Sequence, residues 1–443
     1  MNIKFRLTLM SFLQFFIWGS WLITIGAYWF QTLPKLYPIT DAATGQTAWT
    51  GSAFGAIFST MGIASLFMPT IAGYLADKFI NVEKLYGILH ILGGIVLFFI
   101  PKVSEPGTFF WVILLNMLFY MPTIALSNAV AYSLLKKGGA DVVKDFPPIR
   151  VWGTIGFIVA LWVVSLLHFE TSANQFYVAS IAAILLGVYS FTLPPSPPAA
   201  KTPRVGENTQ SSLNLNAFSL FRNYKMAMFF VFAMLLGAAL QLTNAYGDTF
   251  LHDFADVPKY SDSIAVKYPA IIMSISQISE TLFILAIPFF LRRFGIKQVM
   301  LISMVAWVLR FGLFAYGNPA EGLWMIILSC IVYGMAFDFF NISGSLFVET
   351  ETSPTIRASA QGLFMMMTNG VGAVLGSLIS GFVIQHYFTD ATGTKNWHGI
   401  WVSFASYAGV VAILFVFLFK HKHKADVASN ELNGAEQLKM SQH

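Results

Sequence analysis

Twelve runs of about 20 apolar residues, each long enough to cross a hydrocarbon core, are spread along this chain. They are Phe5 to Phe30, Trp49 to Leu75, Leu85 to Ile100, Phe109 to Leu135, Phe146 to His168, Phe176 to Leu193, Lys225 to Leu251, Pro269 to Leu291, Val299 to Tyr316, Gly322 to Val348, Ala358 to Tyr387 and Ile400 to Phe419. Lipid offers backbone polar groups no partner, so a run of this length crosses it as a helix. The expected fold is an all-α polytopic membrane protein. Only 11% of the 443 residues are charged, where soluble domains carry about 25%. The single cysteine, Cys330, lies in an apolar run, which excludes a disulfide framework and argues against a cysteine metal site. The first run is too long for a signal-peptide core and no small-residue cleavage site follows it, so it reads as an uncleaved first helix.

Charge sets the orientation. With the N-terminus inside, twenty of the 26 Lys and Arg fall in cytoplasmic segments, among them Lys4, Arg6, Lys136, Lys137, Arg292, Arg293, Lys420, Lys422, Lys424 and Lys439. The opposite side holds only Lys35, Lys102, Lys259, Lys267 and Lys395. This positive-inside bias places both termini in the cytoplasm, and it explains the net charge of +5 without a nucleic-acid partner. The longest polar break divides the helices six and six: an N-terminal bundle over 1–193, a cytoplasmic linker over 194–223, a C-terminal bundle over 224–420 and a cytoplasmic tail over 421–443. Within the linker, Leu213 to Phe221 reads as a short amphipathic surface helix.

Polar side chains inside these spans are the clue to function. A carboxylate at mid-membrane costs about 3 kcal/mol or more, so it faces protein, water or a ligand. Gln277 and Glu280, three apart in the eighth run, share one helical face. Arg150, Thr154 and Phe157 form a stripe on the fifth run, and Asp145-Phe146-Pro147-Pro148 before them reads as an N-cap acid followed by first-turn prolines. Gln241 and Asn244 pair on the seventh; Tyr333, Phe337 and Asn341 line one face of the tenth, with Asp338 beside them. Gln14 on the first, His90 on the third and Arg310 on the ninth complete the set.

Amides that donate and accept, with aromatic faces beside them, suit a neutral, flat, hydrogen-bond-rich solute. A carboxyl held between desolvation, which favours its neutral form, and an arginine, which favours its charged form, can take up and release a proton. Glu280 and Asp338 are the candidates for that role, with Arg150 and Arg310 as charge partners. Each residue also has a plainer use. Gln14, Gln241 and Asn244 fit interhelical hydrogen bonds, Arg150 a topology anchor, and Phe157 and Phe337 packing. Arg310 and Asp338 fit a structural ion pair, His90 a satisfied helix contact, and Gly372, Gly376 and Gly381 close packing of the eleventh helix.

The six-plus-six plan, the orientation and the loop Gly73-Tyr74-Leu75-Ala76-Asp77-Lys78 together resemble the major facilitator superfamily. Longer blocks narrow the likeness. Asp145-Phe-Pro-Pro-Ile-Arg150-Val-Trp-Gly-Thr154-Ile-Gly-Phe157, Leu240-Gln241-Leu242-Thr243-Asn244, Ser274-Ile-Ser-Gln277-Ile-Ser-Glu280 and Tyr333-Gly-Met-Ala-Phe337-Asp338-Phe-Phe-Asn341 are similar to the nucleoside:proton symporter family. So are Ile356-Arg357-Ala-Ser-Ala-Gln361-Gly and Ser11-Phe-Leu-Gln14-Phe-Phe-Ile-Trp18. The resemblance implies proton-driven uptake of purine and pyrimidine nucleosides, such as uridine and adenosine, across a bacterial inner membrane. It implies a nucleoside pocket made of Arg150, Thr154, Phe157, Gln241, Asn244, Gln277, Glu280, Tyr333 and Phe337. Two departures stand out. Ala239 occupies a place where an acid is expected, and the first outer loop, with Ala42 to Gln46, is longer than the family's.

A monomer embedded in the bilayer and needing no cofactor or metal is the expectation. The alternative keeps the fold and changes the cargo to another small polar or amphipathic solute, as in a proton-driven exporter. Against that stands the number of specific hydrogen-bonding groups in the spans. A sensor would need an appended signalling domain, which the short tail does not supply. An enzyme is not expected: there is no paired-carboxylate or Ser/His/Asp arrangement and no phosphate-cradling glycine loop.

Overall fold

The computed structural model describes residues 2–40, 47–198, 215–353 and 356–421, which are helical almost throughout. Outside them lie Ala42 to Gln46 of the first long loop, the middle of the linker with Lys201 and Arg204, and the tail with Lys422, Lys424 and Lys439. The N-terminal half contains α1 (Ile3–Gly19), α2 (Gly51–Lys78), α3 (Val82–Phe99), α4 (Pro106–Lys137), α5 (Val142–Leu166) and α6 (Asn174–Ser190). After a 3-10 segment, Leu215–Arg222, where the linker helix was expected, comes α7 (Tyr224–His252). Next, Pro269–Tyr316 runs as one helical stretch that breaks only at Gly295, whose backbone (φ 77, ψ 168) is open essentially to glycine alone. It therefore holds two spans, α8 (269–294) and α9 (296–316). The chain ends with α10 (Leu323–Glu351), α11 (Ser359–Tyr387) and α12 (Trp397–Leu418).

Nine described helices are long and apolar enough to cross a membrane. The doubled one supplies a tenth span, the shorter apolar helix Asn174–Ser190 an eleventh, and the broken first run the twelfth. Helix starts follow local chemistry: Asn2, Thr50, Asn223 and Asn396 each accept a first-turn backbone N–H. The outward surface is apolar, with Leu285, Phe417 and Ile181 well exposed, as lipid requires.

Two expectations need correcting. The first run is not one helix: α1 stops at Gly19, and after a turn the chain resumes as Ile25–Ala27 and a π-helical turn, Tyr28–Thr32. Tertiary contacts pin that break, since Thr24 donates to Gln175 on α6 (2.8 Å) and Trp29 packs edge-on to Trp49 and Phe109. Nor does Asp145 cap α5. The helix begins at Val142 with Asp141 accepting from the Lys144 N–H, and Asp145 sits inside the first turn, paired with Lys4 at 2.7 Å.

The two halves meet chiefly at the end that carries residues 37–40, 47–50, 253–268 and 388–396. There α2 lies against α11 so closely that a Cβ on Gly55 would come 2.3 Å from the Ser377 carbonyl oxygen, and one on Gly381 would come 2.6 Å from that of Gly51. The same closeness on the α7 side, Gly376 against Ala238 and Gly372 against the Met234 carbonyl, gives these glycines the packing role expected of them. Between α5 and α8, Trp162 donates to Ser274 (2.9 Å). Asp253 accepts from Gln31 of the other half and from Trp397, and pairs with Lys395, whose ammonium lies over the ring of Phe30.

Candidate functional site

The predicted polar residues lie on α5 of one half and on α7, α8 and α10 of the other. The depth of the Arg150 stripe is fixed by close packing of α5 on α1: a Cβ on Gly156 would lie 2.1 Å from the Phe12 carbonyl oxygen. The Arg150 guanidinium rests 4.1 Å from the centre of the Phe15 ring, a contact worth about 1–2 kcal/mol when desolvated. From that platform it faces Glu280 of the other half electrostatically, and Glu280 in turn faces Tyr333 and Asp338. Among the described residues, Arg150 and Glu280 do not close into a direct ion pair.

The lining is mixed. Arg150, Thr154, Asn244, Gln277, Glu280 and Phe337 are partly exposed, whereas Phe157, Gln241, Tyr333 and Asp338 are buried. The side-chain oxygens Gln241 Oε1, Gln277 Oε1 and Asp338 Oδ2 are buried without a hydrogen-bond donor. Unmet acceptors are costly in a packed interior, at about 1–3 kcal/mol each, and are what a donor-rich solute would satisfy. Tyr333 and Phe337 stack on each other (6.2 Å, 11°), so Phe337 is the more available ring. One turn further along α10, a cavity of about 330 Å³ opens between Asn341, Ser345, Gln361 and Phe364, extending the polar stripe toward the cation-rich end.

Three other expected residues sit elsewhere. Arg310 is fully buried, but it does not pair with Asp338. Its Nε donates to Thr243 (3.2 Å) and its Nη1 to the Ser329 carbonyl (2.8 Å) and to Ser276 (3.4 Å), while its plane lies over Tyr333 at 4.6 Å. Oxygens from three helices and an aromatic face replace a carboxylate, and Arg310 ties α7, α8 and α10 to α9. Gln14 and His90 belong to a closed network in the N-terminal half. Gln14 donates to Thr123 (2.9 Å) and accepts from Tyr86 (2.6 Å), with His90 Nε2 2.8 Å from the same oxygen. The plainer reading of both therefore holds. Replacing Gln14 with Leu leaves those partners unmet, each costing about 1–3 kcal/mol. Thermal unfolding in detergent should then show a clearly lowered midpoint, while the folded fraction keeps its solute affinity; a lost affinity at unchanged midpoint would put Gln14 in the site.

Sequence reading passed over a second charged cluster. Asp248 and His252 on α7, with Glu170 of the α5–α6 connection, are all buried. The available signal was their i, i+4 spacing at the end of an apolar run, which places an acid and an imidazole on one face.

The chain is similar to known proteins along nearly its whole length. The family model described as nucleoside H+ symporter matches residues 1–424. The xanthosine permease of Escherichia coli K12 is 53% identical over 424 residues, 96% of this chain and 97% of that protein. The nucleoside permease NupG of the same strain is 51% identical over the same shares. A crystal structure of the nucleoside transporter NupG superposes with a TM-score of 0.86 at 51% identity, covering 95% of this chain and all of that one.

Proposed function

Because the chain belongs to the nucleoside H+ symporter family, and so is a multi-pass membrane transporter of major facilitator type rather than an enzyme, we propose that it imports purine and pyrimidine nucleosides, uridine and adenosine among them, with protons. It does so as a monomer in a bacterial inner membrane, by alternating access between bundles divided at 194–223. The observation that carries this reading is the set of buried acceptors that lack donors, Gln241 Oε1 on α7, Gln277 Oε1 on α8 and Asp338 Oδ2 on α10. Ribose hydroxyls and base N–H groups are donors of the kind those acceptors lack. In this role Gln241, Asn244, Gln277 and Glu280 hold polar edges of the nucleoside, Thr154 adds a hydroxyl, and Phe157, Tyr333 and Phe337 lie against its rings. The proton resides on Glu280 or Asp338.

The positive-inside rule puts both termini in the cytoplasm, so the end closed by the α2–α11 contacts and by Asp253–Lys395 faces out. The conformer is then inward-facing, and the Asn341–Gln361 cavity lies on the release side. The test is uptake of radiolabelled uridine and adenosine into proteoliposomes, with and without an inward proton gradient. Accumulation that collapses with the gradient is expected. Folded protein that accumulates neither nucleoside would overturn the cargo and leave another small polar solute on the same fold.

A further inference from the structure

Away from the transport site, Glu170, Asp248 and His252 converge where the halves close. Glu170 comes from the N-terminal half, Asp248 and His252 from α7 of the other. Their relative exposures are 4%, 0% and 8%, and their ligand-capable atoms all lie within 4.8 Å of one another. His252 Nε2 is 3.1 Å from a Glu170 oxygen and 3.4 Å from an Asp248 oxygen. A single Nε2 proton can serve only one of them, and neither approach completes a hydrogen bond. Both oxygens of Asp248, a fully buried side chain, have no donor at all.

Charge leaves the cluster short of a cation. Two carboxylates face one imidazole, so even a charged imidazole would leave one negative charge unmatched. Lys395, the cation nearby in the interface, is already paired with Asp253 at 3.1 Å. Buried charge of this kind is paired, bound to a metal or removed by a proton.

The spacing at His252 accommodates a small four-coordinate ion. Tetrahedral zinc, with bonds of about 2.0–2.1 Å, sets its ligand atoms about 3.3–3.4 Å apart, and the two separations measured at His252 are 3.1 and 3.4 Å. Calcium would want six to eight oxygens, which three side chains do not offer. An outer shell is also present. The other Glu170 oxygen accepts the Ala270 N–H (3.1 Å), and the Glu170 carbonyl accepts from Gln175, which is itself held by Thr24.

We propose that Glu170, Asp248 and His252 form a zinc site whose ligands come from both halves, so that the bound ion staples this end of the transporter shut. Metal binding stands apart from the cargo; only its inhibition of transport rests on the alternating-access reading. With one face pinned, the bundles cannot exchange access, and by linkage the ion stabilises the conformer seen here.

The test uses tag-free full-length protein, loaded with zinc chloride, dialysed and analysed for metal by mass spectrometry. Wild type should retain about one zinc per chain, and His252→Ala and Glu170→Gln at least about ten-fold less. Glu170→Gln preserves shape and remains informative if His252→Ala fails to fold. Zinc should also raise the unfolding midpoint of wild type, reversibly on addition of a chelator, and leave that of Glu170→Gln unmoved. Equal retention by wild type and variants, or no zinc-dependent shift in wild type, would overturn the site and leave protons to neutralise the cluster. Zinc retained by wild type whose nucleoside uptake is not inhibited would overturn the staple and leave the zinc site. Folded protein with no uptake either with or without zinc would instead count against the transport reading alone.

Discussion

Glu280→Gln is expected to reduce gradient-driven accumulation of uridine to simple equilibration while exchange of labelled for unlabelled uridine continues. Glutamine keeps the length of the side chain and its capacity to accept a hydrogen bond, so the pocket retains its shape. What it lacks is a site for the proton and a charge to answer Arg150, which faces Glu280 from the other half. Thermodynamics sets the size of the effect. One proton coupled to one nucleoside across two pH units supports about 100-fold accumulation, since each unit is worth about 1.36 kcal/mol; an uncoupled carrier stops at equal concentrations. Proteoliposomes that report accumulation and exchange side by side separate the possibilities. If the variant accumulates normally, Asp338 carries the proton. If both accumulation and exchange vanish in folded protein, Glu280 is needed to hold the nucleoside. The neighbouring Asp338 has a buried oxygen without a donor, which makes it the next residue to replace.

Much of this could be seen from residue order because the bilayer enforces it. Spans must be apolar and of fixed length, so a polar side chain within one stands out, and Arg150, Gln277 and Glu280 were visible for that reason. What stayed hidden depends on partners distant in sequence. Nothing near Gln14 says that Tyr86, His90 and Thr123 will saturate it, or near Arg310 that serine, threonine and carbonyl oxygens will stand in for a carboxylate. The break after Gly19 was invisible because its flanks are as apolar as a helix interior; only the contacts of Thr24 and Trp29 fix it. Asp248 and His252 were lost at a helix end, where polar residues look like the start of a loop. Hydropathy locates spans well, but it is blind to which polar groups find one another across them.

The α2–α11 contact carries a second large effect, and here one methyl group is enough. Gly55→Ala places a Cβ 2.3 Å from the Ser377 carbonyl oxygen and 3.0 Å from the Gly381 Cα, both backbone atoms that cannot rotate aside. Either the helices part or the closed end opens. Overpacking of this kind costs about 1–3 kcal/mol, which moves a two-state equilibrium by about 5- to 150-fold. Because the contact joins the two halves, that cost falls on the conformer closed at this end and not on one in which the halves have separated. Spin labels at Leu36→Cys and Tyr387→Cys, both exposed at this end, would read the shift as a longer interspin distance. The native Cys330 is buried and out of a label's reach. Uridine uptake should fall with it, since a carrier biased to one side completes few cycles. An unchanged distance distribution in folded Gly55→Ala protein would mean that α2 and α11 slide without separating, and that the gate at this end is held by the Asp253–Lys395 contacts instead.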